Sequence, residues 1–323
     1  MLKKIISNIR TKISYLEIHD VINQIFLLFL TLINLLNSCL IREWLLLIII
    51  NIILSVLIIQ IVYVYETQSD IKKRHPTFVR FLRFWYPVFM IIFCFKEIYT
   101  LMVSLTPNLH DDLLIRIDYL IFGFNPTVEL NNIANRYLTE FLQIIYISFY
   151  ILPVIYALEL FLWHRYNEMK FATFVIFLGF YLSFIGYLIL PAVGPRFTLH
   201  NFYNINDELP GVFLTNIMRD IINFGESIPK NVLNASAIAQ RDAFPSGHTI
   251  IILLIVYLSR KTKSKSFYFY FPYSILMIFS TIYLRYHYVV DIFGGILISI
   301  ITVFAAGLIY KDKEVFSKKL KKS

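Results

Sequence analysis

The sequence predicts an all-α fold: a polytopic membrane helix bundle with about eight transmembrane helices. Of the 323 residues, 58% are hydrophobic and only 16% are charged. A soluble domain would carry about a quarter charged residues. Several apolar runs reach roughly 20 residues, the length that crosses a bilayer as a helix, and basic residues recur in the segments between them. These three observations exclude a single soluble core.

Each predicted span is an apolar run bounded by polar residues. A basic, amphipathic lead-in covers residues 1–20. The predicted spans are 21–40, 44–65, 84–106, 139–162, 171–190, 247–259, 267–285 and 288–309. Longer polar loops, at 107–138 and 191–246, interrupt the series. We expect an N-terminal membrane region with its outer loop (1–137), a C-terminal membrane domain (138–310) and a basic cytoplasmic tail (311–323).

Basic residues predict which side of the membrane each segment faces. Lys and Arg concentrate in the N-terminal tail, in the loops at 66–83, 163–170 and 260–266, and in the C-terminal tail. Cytoplasmic loops carry an excess of these residues. An even number of spans puts all five segments on one side, so we expect both termini in the cytoplasm. The two long loops and the turn at 285–288 then face the other side of a plasma membrane or bacterial inner membrane.

The net charge of +9 follows from the same basic segments. The sequence lacks the mixture of aromatic and basic residues typical of a nucleic-acid groove, so we expect no nucleic-acid partner. Cys39 and Cys94 lie in or beside apolar runs and lack the spacing of a zinc site or a disulfide framework. We expect no cofactor, and the sequence leaves the oligomeric state open.

Two residues near the start of the last predicted span are the first candidates for chemistry. His287 and Asp291 are four positions apart, so on a helix they share one face. The carboxylate can accept a hydrogen bond from one imidazole nitrogen, which fixes the tautomer and makes the other nitrogen more nucleophilic. Ionisable groups at the end of a span usually face a cavity and serve a function. The alternative is an interfacial histidine beside an aspartate that favours the helix dipole.

The stretch 244–249, which reads Phe-Pro-Ser-Gly-His-Thr, precedes another apolar run. Ser246 is predicted to cap that helix, so that its first N–H groups point outward. A helix N-terminus with a glycine such as Gly247 nearby is a ready site for phosphate oxygens. His248 would lie there as a proton donor. An ordinary capped turn with an interfacial histidine is the alternative interpretation.

Two arginines lie close to these stretches in the sequence. Arg196 follows the fifth span, and Arg285 comes two residues before His287. A guanidinium is a permanent cation whose planar fork matches phosphate, although Arg196 alone is equally consistent with a membrane-edge residue that snorkels. Together on one face, two His, one Asp and two Arg match in-line phosphoryl transfer through a phosphohistidine. No clustered carboxylates show metal-ligand spacing, so we expect no metal.

Other polar residues are expected to play lesser parts. Lys96 and Glu97 interrupt the third span, and because adjacent residues do not share a helical face, we expect each to find its own partner in the bundle. His110, Asp111 and Asp112 are predicted to form a solvated loop.

The combination of Phe-Pro-Ser-Gly-His-Thr at 244–249 with His-x-x-x-Asp at 287–291 resembles the type 2 phosphatidic acid phosphatase superfamily. That family includes lipid phosphatases, bacterial acid phosphatases and haloperoxidases. The resemblance covers roughly residues 140–310 and implies a six-helix-type phosphatase core there. Pro-Ser-Gly-His is a specific motif, and its pairing with His-x-x-x-Asp is more specific still.

The resemblance also implies a role for each candidate residue. His287 would be the nucleophile, Asp291 its partner, and His248 the acid that protonates the leaving group. The predicted phosphate-binding residues are Arg196, Arg285, Ser246, Gly247 and Arg241.

The motifs depart from the family pattern in two places. The family's first motif is Lys, six residues and Arg-Pro, whereas residues 194–196 read Gly-Pro-Arg, and Arg241 is a candidate replacement for the missing Lys. The third motif usually has Arg six residues before the His, where this chain has Thr281. The stretch 283–291 looks more like the inositol phosphorylceramide synthase branch, whose members transfer a phosphoryl head group to an alcohol. Residues 118–126 resemble that branch less specifically.

The resemblance therefore implies an integral membrane hydrolase that removes phosphate from a lipid phosphate ester without a metal. One alternative is a phosphotransferase of the synthase-like branch, which differs only in the acceptor. A second is a non-catalytic transporter or assembly subunit, in which a motif His or Asp would be lost, and none is lost here. Haloperoxidase chemistry is a third alternative, against which the many spans favour a lipid substrate.

Overall fold

The computed structural model of the chain describes residues 10–67, 69–230 and 232–310. Within these ranges the chain is helical, and the one extended feature is an isolated bridge between Ala192 and Asp242. The all-α fold class is therefore confirmed. The predicted basic tail at 311–323 and the first residues of the basic lead-in, 1–9, lie outside the described residues.

The longer helices in the described part of the chain are labelled here in chain order. They are α1 (Ile18–Leu36), α2 (Trp44–Glu66), α3 (Pro76–Leu105), α4 (Asp111–Phe122), α5 (Arg136–Ile147), α6 (Leu152–Leu162), α7 (Tyr166–Ile189), α8 (Thr215–Gly225), α9 (Gly247–Lys261), α10 (Phe267–Tyr283) and α11 (Val289–Ile309). Short α-helical turns cover Asp70–Arg74, Pro126–Glu129, Ile205–Glu208 and Ala235–Ile238. Turns of 3₁₀ helix cover Leu130–Ile133, Ser148–Tyr150, Pro195–Phe197 and Phe202–Asn204.

Every predicted span is helical, but not every one is long enough to cross a bilayer unaided. Among the described residues, α1, α2, α3, α7 and α11 are sufficiently long and apolar. Helices α5 and α6 make a sixth candidate if they count as one span, bent by 53° at the break between them. Helices α9 and α10 have 15 and 17 residues, or about 22–26 Å at the usual rise, against a hydrocarbon core of about 30 Å. By length and composition, five or six of the eight predicted spans qualify as membrane-crossing helices in the described part of the chain, in keeping with a polytopic bundle.

The chain divides into two compact units. The first comprises residues 1–105, 160–178 and 308–323, and the second comprises 106–159 and 179–307. In the first unit α2 packs against both α1 and α3. In the second unit α10 packs against α9 and α5, and α5 also packs against α8. All the candidate residues of the two histidine motifs belong to the second unit.

The two long loops contain more structure than the sequence predicted. Helix α4 lies within 107–138, and α8 lies within 191–246. The prediction of a solvated loop at residues 110–112 is wrong for Asp111, whose side chain is buried although Asp112 is exposed. Asp111 is buried because its carboxylate accepts hydrogen bonds from the backbone N–H groups of Val193 and Gly194, at 3.1 and 2.8 Å.

Candidate functional site

His287 is held by two acceptors on the same ring nitrogen. Its Nδ1 lies 2.9 Å from the Ala243 carbonyl oxygen and 3.2 Å from Oδ2 of Asp291. Because both partners accept, Nδ1 carries the proton and Nε2 keeps its lone pair. Oδ2 of Asp291 also accepts from the backbone N–H of Tyr288 at 2.8 Å, which fixes the carboxylate. The geometry thus leaves a lone pair on Nε2 of a buried imidazole.

His287 lies in the turn before α11 rather than on the helix itself. The helix begins at Val289 because Asp118 caps it from α4. The Asp118 carboxylate accepts from the N–H groups of Val289 and Val290, both at 2.8 Å. Burial raises the pKa of Asp118, and these two hydrogen bonds oppose that rise. Asp118 therefore sets where the helix starts and, with it, the approach of Asp291 to His287.

Replacing Asp118 with alanine is expected to lower the stability of the protein by about 1–2 kcal/mol, the usual cost of removing a helix cap. Two N–H groups at the start of α11 would lose their acceptor. The check is the thermal unfolding midpoint of the purified protein in detergent. Asp112→Ala is the control, since this exposed neighbour should change stability by less than about 0.5 kcal/mol. Equal midpoints for the two variants would contradict the capping role.

His248 faces the free nitrogen of His287. Its Nδ1 lies 3.4 Å from Nε2 of His287. The opposite nitrogen, Nε2, is buried and has no hydrogen-bond partner among the described residues. The ring stacks on Tyr146, with centroids 4.3 Å apart, and packs against Phe149 at 4.1 Å. The two imidazoles are thus close enough to exchange a proton through a small rotation or a bound oxygen atom.

The start of α9 has the capped geometry that the sequence predicted. The Ser246 hydroxyl oxygen accepts from the Thr249 N–H at 3.3 Å, which confirms Ser246 as the N-cap. The Ser246 N–H in turn donates to the Asp291 carbonyl at 3.0 Å, so the two motifs are joined through their backbones. A Cβ at Gly247 would lie 2.6 Å from the hydroxyl of Tyr187, so a larger residue there would have to displace that side chain.

Arg196 is buried against aromatic rings. Its guanidinium lies 4.7 Å from the ring centroid of Tyr286 and 4.5 Å from that of Phe197, within the range of cation–π attraction. It forms an ion pair with Glu226 and donates to the Asn223 side chain at 3.2 Å. Tyr286 stacks on Tyr146 at 4.1 Å. Since Tyr146 also stacks on His248, a continuous column of planar groups connects Arg196 with the histidine pair.

Arg285 lies in the turn between α10 and α11 with a left-handed backbone, φ 68°. Its side chain forms an ion pair with Glu208 and donates to the Asn131 oxygen at 2.8 Å. Its carbonyl accepts from the Arg196 N–H at 2.9 Å, which ties the two arginine loops together. Gly194 allows this approach, because it has φ 92° and a Cβ there would lie 2.6 Å from the Tyr286 carbonyl oxygen.

The two departures from the motif pattern have different structural outcomes. Thr281, at the position of the usual Arg, is buried near the end of α10, and its carbonyl accepts from the N–H groups of Tyr286 and His287. This position therefore builds the turn. Arg241 is buried and donates to the Thr106 carbonyl oxygen. Its role as a substitute for the missing Lys stays a prediction.

Sequence reasoning missed a third arginine. Arg219, on α8, is buried and donates to the carbonyls of Ile205 and Leu209 at 3.3 and 2.8 Å and to the side chain of Asn206 at 2.7 Å. These acceptors are all neutral. Burial lowers the pKa of Arg219, and the charges of Arg285 and Arg196 are close enough to lower it further. The three arginines form one cationic cluster, and no sequence motif marked Arg219 because it sits in an ordinary amphipathic helix.

Two carboxylates, Glu140 and Asp111, organise the loops around this cluster, and their partners were not predicted from the sequence. Glu140 on α5 accepts from four successive N–H groups, at residues 212–215, over 2.6–3.2 Å. Asp111 accepts from the loop at 193–194 and from the Tyr288 hydroxyl, at 2.9 Å. A signal existed for one pair: Asp111 and Asp118 are seven residues apart, which places them on one face of α4. Glu140 had no such signal.

Burial lowers the pKa of His287 to about 4. The charge of Asp242 and the hydrogen bond to the Ala243 carbonyl oppose this fall, and Arg196 adds to it. His287 is consequently neutral throughout the physiological range, so its Nε2 lone pair is not blocked by a proton. A buried, neutral imidazole with an oriented second nitrogen can act as a nucleophile, and the adjacent imidazole can act as an acid.

Comparison with known families gives one match. A family model with the description PAP2 superfamily matches residues 113–305, more than half of the chain. The match includes every candidate residue of the two histidine motifs and all three arginines of the cluster. No curated protein and no solved structure gives a significant match.

Proposed function

The chain belongs to the PAP2 superfamily, and from this premise we propose that it is an integral membrane hydrolase that removes phosphate from a lipid phosphate ester through a phosphohistidine. The family supports a lipid enzyme of the phosphatase or phosphotransferase type. The observation that carries the finer proposal is the fixed tautomer of His287. Its Nδ1–H is held between Asp291 and the Ala243 carbonyl, which leaves Nε2 free to attack phosphorus.

The proposed reaction has two steps. Nε2 of His287 attacks phosphorus and the ester P–O bond breaks. His248, in its protonated form, donates a proton to the departing alkoxide and becomes neutral. The phosphorylated imidazole, still protonated on Nδ1, is cationic, and the adjacent carboxylate of Asp291 stabilises that charge. Water then attacks phosphorus while His248 takes its proton, and inorganic phosphate and neutral His287 are released. No step requires a metal.

The arginine cluster supplies the charge that this transition state needs. Arg196 and Arg285 are proposed to bind the phosphate oxygens, with Ser246, Gly247 and Arg241 contributing further hydrogen bonds. Glu226 and Glu208 occupy the two arginines in this structure. An incoming phosphate therefore has to share or replace these carboxylates. Cations fixed in a buried site stabilise the developing charge more strongly than cations in water do.

Transfer to an alcohol is the second candidate, and one observation favours it. The rings of Tyr146 and Phe149 pack on His248, and Tyr286 closes the adjoining side of the stack. Such a pocket limits the access of water to a phosphohistidine, which favours an alcohol acceptor bound in its place. The motif at 283–291 resembles the synthase-like branch, which also favours transfer to an alcohol. We further propose that the site opens on the non-cytoplasmic face, because the basic loops assign the opposite side to the cytoplasm.

The test is an assay of the purified protein with a small panel of lipid phosphates, in the presence of EDTA and with or without inositol or glycerol. Release of free phosphate that the alcohols leave unchanged would support the phosphatase. A new phosphorylated alcohol with little free phosphate would support the transferase and overturn hydrolysis as the main reaction. Absence of both products across the panel would favour the non-catalytic alternative.

The acid limb of the pH–rate profile is expected near pH 4, because His287 attacks only when it is neutral and its pKa is about 4. Asp242 stabilises the imidazolium, so Asp242→Asn should lower this pKa and move the limb to lower pH. The measurement is kcat/KM against pH for both proteins, and the exposed Asp207→Asn is the control. A limb that stays in place or moves to higher pH would contradict the assignment.

A further inference from the structure

Three polar side chains from three membrane-spanning helices meet inside the first unit. Glu97 lies on α3, Asn34 on α1 and Asn51 on α2. Their exposed fractions are 2%, 0% and 1%. Each of the three helices is long and apolar enough to cross a bilayer. The group is outside the second unit and takes no part in the chemistry proposed for the histidines.

The hydrogen bonds of this group leave three oxygen atoms without donors. Oε1 of Glu97 accepts from the amide nitrogens of Asn34 and Asn51, at 2.7 and 2.9 Å. The amide nitrogen of Asn34 also donates to the Leu30 carbonyl at 2.9 Å, which fixes its orientation. Among the described residues, no donor reaches Oε2 of Glu97 or Oδ1 of either asparagine. Rotating an amide would place its oxygen against the carboxylate, so the arrangement cannot satisfy itself.

The ionised form of Glu97 would have no compensating charge beside it. No ion pair involves Glu97 in the part of the chain that the structure describes, and the adjacent Lys96 is on the exposed side of α3. A buried carboxylate inside a membrane bundle is costly unless a positive charge neutralises it. The three oxygens belong to side chains that are joined through Oε1 of Glu97.

We propose that Glu97, Asn34 and Asn51 form a binding site for a single monovalent cation, either Na⁺ or a proton. One negative charge and two neutral amide oxygens match one positive charge. A divalent ion would normally require more oxygen ligands and more carboxylates. A water molecule could donate to two of the oxygens but would leave the charge of Glu97 unbalanced. The cation would fasten α1, α2 and α3 together.

The first test is the thermal midpoint of the purified full chain in detergent, at mildly alkaline pH, as NaCl replaces choline chloride at constant ionic strength. A bound cation stabilises the folded state by mass action. With Na⁺ as the occupant, the midpoint should rise saturably in the wild type and in the control Glu43→Gln, which removes an exposed carboxylate just before α2. It should stay flat in Glu97→Gln, which keeps the shape of the side chain without its charge.

The second test measures the thermal midpoint against pH and identifies a proton as the occupant. In that case Na⁺ has no effect, and the wild-type midpoint falls as pH rises, because the folded chain holds a proton that the unfolded chain releases. Glu97→Gln should lack this fall. Both proteins share the other titratable groups on the three helices, so the contributions of these groups cancel in the comparison. They are His19, Asp20, Tyr63, Tyr65, Glu66, Arg80, Arg83, Tyr86, Cys94, Lys96 and Tyr99.

The proposal would be overturned if the wild type and Glu97→Gln responded identically to Na⁺ and to pH. If Glu97→Gln does not fold, binding of ²²Na⁺ to the wild-type protein, with displacement by excess NaCl and by acid, gives the answer without a variant. Failure to bind ²²Na⁺, together with a midpoint independent of alkaline pH, would also overturn it. Neither result depends on the activity of the histidine site.

Discussion

Replacing His287 with alanine is expected to reduce turnover of a lipid phosphate ester by at least about 10⁴-fold, the scale of loss when an enzyme loses its nucleophile. The structure gives the reason: Nε2 is the ring nitrogen that the hydrogen bonds of Nδ1 leave free, and it points at the neighbouring imidazole. Alanine removes the atom that would bond to phosphorus. The measurement is the steady-state release of phosphate, or of a phosphorylated alcohol, from the best substrate of the panel.

A matched histidine variant separates this effect from a loss of folding. His75 is exposed and lies before α3, so His75→Ala should keep wild-type turnover. The turnover of His248→Ala should lie between those of His75→Ala and His287→Ala, because loss of an acid typically lowers the rate by about 10²–10⁴-fold. Both motif variants should elute and unfold like the wild type. Wild-type turnover in a folded His287→Ala protein would remove this residue from the mechanism.

The fold class and the histidine pair could be predicted from the sequence for simple physical reasons. Apolar runs of near-bilayer length leave a helix as the one structure that satisfies their backbone groups in lipid. The spacing of His287 and Asp291 and the cap at Ser246 are local properties, readable from a few consecutive residues. The approach of His248 to His287 is not local, and it followed from the combination of two motifs on one predicted face.

The lengths of the individual helices were harder to predict, because an apolar run need not be helical throughout. Helices α9 and α10 are apolar, but α9 begins at the cap Ser246 and α10 ends in the turn around Arg285. These turns bring the motifs together and shorten both helices. The 53° bend between α5 and α6 likewise interrupts a run that reads as one span.

The supporting carboxylates could not be predicted because their partners are backbone groups far away in sequence. Two or more N–H groups from another segment donate to each of three carboxylates, those of Asp111, Asp118 and Glu140. A residue type alone does not indicate such a partner. Glu226 and Glu208 also have partners that are distant in sequence, but these partners are the side chains of Arg196 and Arg285.

Replacing Arg196 with alanine is expected to lower kcat/KM by about 10³-fold, the upper range for removing one donor to developing charge. The guanidinium is buried between the aromatic rings of Phe197 and Tyr286, and Tyr286 belongs to the turn that carries His287. Arg196→Lys keeps the charge but loses the planar fork, so it should recover only part of the activity. The measurement is kcat/KM, with inhibition by inorganic phosphate as an independent readout of binding. Arg136→Ala, an exposed arginine of the same unit, is the control.

Variants at Glu226 distinguish a role of Arg196 in binding phosphate from a role in stabilising the fold. Arg196→Ala leaves the Glu226 carboxylate without its ion pair, which by itself destabilises the protein. The double variant Arg196→Ala, Glu226→Ala removes that penalty, so it should recover stability while kcat/KM stays low. Glu226→Gln alone should strengthen inhibition by phosphate, because it leaves Arg196 free to pair with the incoming anion. Recovery of both stability and kcat/KM in the double variant would assign Arg196 to the fold and leave Arg285 and Arg219 to bind the phosphate.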